Sequence, residues 1–287
     1  MTVFRHLQFS KLPPCWASAA GVCLSFALVT PTAVAQLTAP SNAAAIASSH
    51  REQAATTPSS RHLDIEYVPP PAPPDRGTPR GRKAGGASRG NCQANQSLAA
   101  LVPEHQGYVW GQSASARPTF WFYVPTISGS TVNVEFALQD KRDTLVYHAT
   151  LALKPGPARA IDIAMPATTP PLERDRSYFW TLIIECDPAR PGDTLYVRGT
   201  VRHVPPSSTL AAQLAAASAP ERAAIYSQAG YWYDALTEVE RLHRSDRDDP
   251  SYAAAWQHFL QQVNLDPIDV SESTNSAIVR AREQLES

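Results

Sequence analysis

The stretch Arg117-Pro118-Thr119-Phe120-Trp121-Phe122-Tyr123-Val124-Pro125 decides how the chain folds. Four aromatics and a valine stand in one run, with a proline at either end. The run is too short for a helix and rich in strand formers, so it predicts a buried strand, the central one of an antiparallel sandwich. Phe120, Phe122 and Val124 fall on one face, and Trp121 and Tyr123 on the other. If the first face fills a core, the second leaves two large aromatics that must be covered or put to use. One reading covers them with the C-terminal part of the chain. The other makes them a platform for carbohydrate or protein, since Trp and Tyr suit both. Trp232 and Tyr233 complete this candidate aromatic patch.

Outward from this run the pattern stays that of strands. Val132, Val134, Phe136 and Leu138 alternate with Asn133, Glu135, Ala137 and Gln139, a period of two. The polar turn Gln139-Asp140-Lys141-Arg142-Asp143 leads into a returning strand over 144–153, so the pair reads as a hairpin. Further strands are expected around Ile161, Ile163 and Met165, over 178–185, and around Leu195, Val197 and Val201, with Arg198 and Arg202 facing out. Weaker ones near 98–102 and 108–111 bring the count to seven or eight. Short strands without intervening helices predict a mostly antiparallel β-sandwich over 91–205. It is immunoglobulin-like only loosely, because Cys92 precedes the first clear strand.

After Val204-Pro205-Pro206 the period becomes helical, and 206–287 is expected to be an α-helical segment packed on the sandwich. Ser207 or Ser208 can cap a first helix ending near Ala217. Ser218-Ala219-Pro220-Glu221 is a capping box, and Gly230 stops that helix. Trp232, Ala235, Leu236, Val239 and Leu242 form an apolar helical face. Asp249-Pro250 opens another helix, with Trp256, Phe259, Leu260 and Val263 available for packing, and a polar helix is expected over 273–285. Ala223, Tyr226, Gly230, Tyr233, Ala235 and Val239 resemble the packing positions of one tetratricopeptide-like hairpin. Stable arrays need about three repeats, so a lone hairpin is expected to dock on the strands and not to form a peptide-binding groove.

The first 35 residues have the anatomy of a secretory leader: Arg5 and Lys11, an apolar run from Trp16 to Val29, and Ala33-Val34-Ala35 before Gln36. The alternative, a membrane anchor, needs about 20 apolar residues. Removing 1–35 leaves 23 basic against 26 acidic residues, a balance that argues against a nucleic-acid partner. It also leaves only Cys92 and Cys186. In an exported chain these suggest one disulfide, worth roughly 4–5 kcal/mol on the chain-entropy view; the alternative is two buried thiols. Residues 36–90 read as a disordered Pro/Gly/Ala-rich linker with little to build a core. Its basic end, Arg76, Arg80, Arg82, Lys83 and Arg89, is a solvated tether or a weak contact for an anionic surface.

Several motifs recur together in one family. They are Arg89-Gly90-Asn91-Cys92, Leu101-Val102-Pro103-Glu104, the strand 118–125, Phe136-Ala137-Leu138-Gln139-Asp140, Cys186-Asp187-Pro188, and Glu221-Arg222-Ala223-Ala224-Ile225-Tyr226 followed by Trp232-Tyr233-Asp234-Ala235-Leu236. In that order they resemble domain of unknown function 928, found chiefly in exported proteins of cyanobacteria, over about 80–265. The resemblance implies no catalytic or binding residue and no cofactor.

No phosphate loop, nucleophile elbow, zinc helix or calcium loop is present in the sequence. Glu104, His105 and Asp234 are weak acid/base candidates, and His148 and His203 lack a partner at metal spacing. The expected role is a non-enzymatic interaction module of the periplasm or cell exterior, with an envelope protein or polysaccharide as partner. A carbohydrate-binding module with Trp121 stacking on sugar is the alternative, and a hydrolase assembled from distant residues a second one.

Overall fold

The computed structural model describes residues 63, 65–73, 92, 98–187 and 193–265. The leader, most of the linker with its basic end, and the expected helix over 273–285 lie outside the described residues.

In chain order the strands are β1 (Ala99–Ala100), β2 (Glu104–His105), β3 (Tyr108–Ser113), β4 (Thr119–Val124), β5 (Val132–Gln139), β6 (Leu145–Leu153), β7 (Arg159–Ala164), β8 (Arg176–Glu185) and β9 (Thr194–His203). The helices α1 (Ser208–Ala216), α2 (Ala219–Gln228), α3 (Trp232–Ser245) and α4 (Pro250–Gln261) follow. One sheet has the order β1-β4-β7, the other β2-β3-β9-β8-β5-β6. The aromatic run at 119–124 is thus the middle strand of its own sheet, antiparallel to both neighbours.

The two sheets face each other through that run. Phe120 and Phe122 meet Phe136 of β5 with ring centres 4.8 and 6.1 Å apart. The same two rings lie 6.5 and 5.5 Å from Trp180 of β8. The alternating set Val132, Val134, Phe136 and Leu138 is fully buried, while Asn133 and Glu135 between them are exposed. Period-two patterning has become one dry and one wet face.

Two details depart from the sequence reading. Nine strands stand among the described residues instead of seven or eight. The additional one is β2, which folds back on β3 through Gln106 and Gly107, both at positive φ (53° and 78°), as a tight hairpin requires. A two-residue strand has no room for a residue pattern. The larger sheet is also mixed, because β3 runs parallel to β9. Strands that pair across some ninety residues leave no sign of their relative direction in either sequence.

The helices start and stop where the sequence provides for it. Ser207 accepts from Leu210 N at the start of α1, Glu221 accepts from Ser218 N at 2.7 Å, and Asp249 accepts from Ser251 N at 2.8 Å ahead of Pro250. Gly230, at φ +80°, ends α2. Helix α3 packs on β3 of one sheet and β4 of the other.

The linker expectation fails at one place. Ile65 and Tyr67 are buried, and Leu63 packs beside them. Residues 65–73 are therefore a strap on the helices and belong to the folded body. Their alternation, Ile65-x-Tyr67 within Leu63-Asp64-Ile65-Glu66-Tyr67-Val68, is the signal that the proline-rich surroundings mask.

Cys92 and Cys186 are joined, with Cα atoms 5.2 Å apart. The bond fastens the segment before β1 to the end of β8, as expected of a staple at the linker exit. Replacing both with serine is expected to lower unfolding free energy by about 3–5 kcal/mol. Urea denaturation of variant and wild type checks it; an unchanged midpoint contradicts it.

Candidate functional site

The candidate aromatic patch is a packing device. Trp121, Trp232 and Tyr233 are buried and Tyr123 is half-buried, so of the two readings of these aromatics the structure follows the one that covers them with the C-terminal part of the chain, and not the exposed platform. The physical reason is α3, whose apolar face lies across the outer side of β4 and the start of the larger sheet. Each buried ring also satisfies its polar atom. Trp121 Nε1 donates to Thr237 Oγ1 at 3.1 Å, and Trp232 Nε1 donates to the Leu101 carbonyl at 2.8 Å. Tyr233 accepts from Trp180 Nε1 at 2.8 Å and donates to the Thr200 carbonyl at 3.1 Å. Its ring sits 5.4 Å from Phe120, so it touches both sheets. The close approach depends on Gly111, where a Cβ would lie 3.1 Å from both Trp232 Cβ and Tyr233 Cε2. Removal of Trp121 from the surface takes away the sugar-stacking platform on which the carbohydrate alternative rested.

The acid/base candidates do not converge. Asp234, in the first turn of α3, is half-buried and accepts from Ala114 N at 2.8 Å and Ser115 N at 3.2 Å. It pins the helix to the turn after β3. Burial pushes its carboxyl up to about 6, against the lowering effect of these bonds. It borders a small depression of about 180 Å³ with Arg117, Glu238 and Arg241. Glu104 and His105 are exposed on β2 and line a different cavity. His148 pairs with Glu135 at 2.9 Å on the exposed face, and buried His203 places Nδ1 2.9 Å from the Leu172 carbonyl.

A second polar cluster lies under α3. Arg244 pairs with Glu240, reaches Asp162 at 3.6 Å, and lies 5.2 Å over the Trp121 ring. Burial pushes Glu240 up to about 7, with Arg244 acting the other way. Glu238 joins Arg222 and Arg241 at 3.2 and 2.6 Å. These pairs tie helices to each other and to β7. Among the described residues no three His, Cys, Asp or Glu side chains gather as a metal set. Among them, too, no helix is long and apolar enough to cross a membrane.

Among the described residues a larger concave feature is a cleft of about 560 Å³ between the strap and the β2–β3 hairpin. Pro69, Pro70, Pro71 and Ala72 form one wall; Pro103, Glu104, His105, Gln106 and Trp110 form the other; Gln262, Val263 and Asn264 close the end. Apolar walls and a polar rim are what ligand sites share. Sequence reasoning found only Glu104 and His105 of this set. Trp110 stood in a weak strand, and nothing in a polyproline run says which face of the body it will lie against.

Among the described residues, a mostly β body carries helices seated on it by hydrogen-bonded aromatics, and the strap-walled cleft is its candidate site. The chain belongs to the family Domain of Unknown Function (DUF928), whose model matches residues 84–274. No curated protein matches the sequence.

Two outcomes follow from α3. Tyr233→Phe removes the acceptor of the buried Trp180 N–H, and is expected to cost about 1–3 kcal/mol with the fold retained; differential scanning calorimetry measures it. The second concerns pH. A carboxyl whose folded pKa lies above its unfolded value, about 6 against 3.8, stabilises the fold fully below pH 3.8 and less as pH rises to 6. Wild type should lose roughly 3 kcal/mol relative to Asp234→Asn across that window. Parallel stability–pH curves for the two proteins would refute it.

Proposed function

We propose that the protein is a non-enzymatic interaction module of the cell envelope, exported by the leader read in residues 1–35. Its two facing sheets are taken as a loosely immunoglobulin-like sandwich that carries the recognition site. The observation that carries this reading is the cleft between the strap and the β2–β3 hairpin. Pro69, Pro71 and Ala72 supply exposed apolar surface there, while Glu104, His105, Gln106 and Asn264 supply polar contacts. Glu104 and His105 are exposed at the rim of the cleft, where they can meet a partner's surface. The disulfide supports export, since such bonds persist in oxidising compartments. The segment with Arg76, Arg80, Arg82, Lys83 and Arg89 is proposed as an auxiliary contact to an anionic surface.

Two partner classes fit the cleft, and one experiment separates them. The mature chain is immobilised and probed with envelope extract and with a glycan array, beside the double variant Glu104→Ala/His105→Ala. Both positions are exposed, so the melting temperature should not move. A protein whose capture falls at least tenfold in the variant establishes the protein-binding reading. An oligosaccharide with the same dependence establishes the polysaccharide reading, held by the polar rim of the cleft and not by a stacking tryptophan. Equal capture by wild type and variant excludes the cleft.

A further inference from the structure

Residues 65–73 lie against α2, α3 and α4 as a bound peptide lies against a receptor. Two side chains of the body read its main chain. Gln262 accepts from Tyr67 N at 2.6 Å through Oε1 and donates to the Ile65 carbonyl at 2.8 Å through Nε2. Ser227 donates from Oγ to the Glu66 carbonyl at 2.6 Å, and its own carbonyl accepts from Val68 N at 3.2 Å. Main-chain bonds of this kind hold an extended segment whatever its side chains, and leave selectivity to the pockets.

The pockets are equally defined. Tyr67 is buried, edge-on to Trp232 at 4.9 Å and to Phe259 at 6.4 Å. Pro70 rests on Gly230, where a Cβ would come within 2.9 Å of its ring. Pro73 is buried, whereas Val68, Pro69, Pro71 and Ala72 are exposed. Ile65 and Tyr67 are buried at alternate positions, and from Tyr67 on the inward positions 67, 70 and 73 follow the three-residue period of a polyproline II helix. Prolines at 69, 70 and 71 have no N–H to leave unpaired and little freedom to lose on docking. Eighteen residues separate Pro73 from the anchored Cys92, so the strap is joined to the body's fixed frame only distantly.

We propose that this helical face is a docking site for an extended polypeptide carrying an apolar residue two positions before a tyrosine, with prolines three and six positions after it. Residues 65–73 fill it in cis, and a partner segment of that chemistry takes their place. The tether gives the strap an effective concentration on the order of millimolar, so it excludes weak competitors and yields to tight or clustered ones. The proposal goes beyond the cleft reading. Capture through Glu104 and His105 can succeed while exchange of the strap fails, and the reverse.

The test uses the full chain with a protease site inserted between Gly85 and Gly86, cut after folding. The expected result is that the fragment carrying the strap co-elutes with the body at micromolar concentration. An excess of labelled peptide spanning 63–73 then replaces it, while the same peptide with Tyr67→Ala binds at least tenfold more weakly. Gly230→Val, which fills the Pro70 contact, should release the fragment on cutting; if that variant does not fold, the peptide arm decides. A fragment that excess peptide cannot replace overturns the proposal. So does a body that loses its near-ultraviolet circular dichroism when the fragment leaves, because the strap is then an integral element. Exchange seen only as dimers of the uncut chain would make a second copy the occupant and overturn the assignment to a partner.

Discussion

The hydroxyl of Tyr233 holds the two halves of the molecule together. It takes the indole proton of Trp180 and gives its own to the Thr200 carbonyl, while its ring packs on Phe120. Strands of both sheets and the first turn of α3 meet at that one side chain. Its burial disfavours ionisation, which keeps the hydroxyl able to donate as well as accept. Everything nearby is arranged for the fit. Gly111 lets the helix approach, Trp232 bonds to the carbonyl before β2, and Asp234 fastens the helix start to the turn after β3. The helical segment is thus an integral wall of the β body.

Much of this was legible in residue patterns, because the elements that carry it are strongly periodic. The run 119–124, the alternation at 132–138 and the capping box at 218–221 each state their own conformation locally. The cysteines paired as their number and context suggested. The errors fall where a structural fact depends on two distant segments. Trp121 and Tyr123 could be assigned to the outer face of their strand, with cover by the C-terminal part as one of two readings, but the choice between them is made by helices more than a hundred residues later. The direction of β3 against β9 is of the same kind. The strap is a different failure: composition averaged over 36–90 hid a short alternating island at 63–68. A window matched to strand length would have shown it.

The charged groups under α3 illustrate why sequence gave weak guidance about chemistry. Asp234, Glu238 and Glu240 all have the raw material of acid/base residues, and two of them are pushed upward by burial. Yet each is committed to a main-chain donor or an arginine that joins secondary-structure elements. Perturbed titration here follows from load-bearing position in a dry interface, a known ambiguity of such shifts. Glu104 and His105, beside the strap-walled cleft, are exposed, which suits recognition.

The order of strands in the larger sheet sets a timetable for folding. β9 is the last strand made and yet lies between β3 and β8. The hairpin of β2 and β3, synthesised some ninety residues earlier, has no neighbour until His203 exists. Synthesis from the amino end presents that hairpin early and keeps it waiting. Closure of the larger sheet therefore comes only after β9 is made, governed by long-range contacts that form slowly.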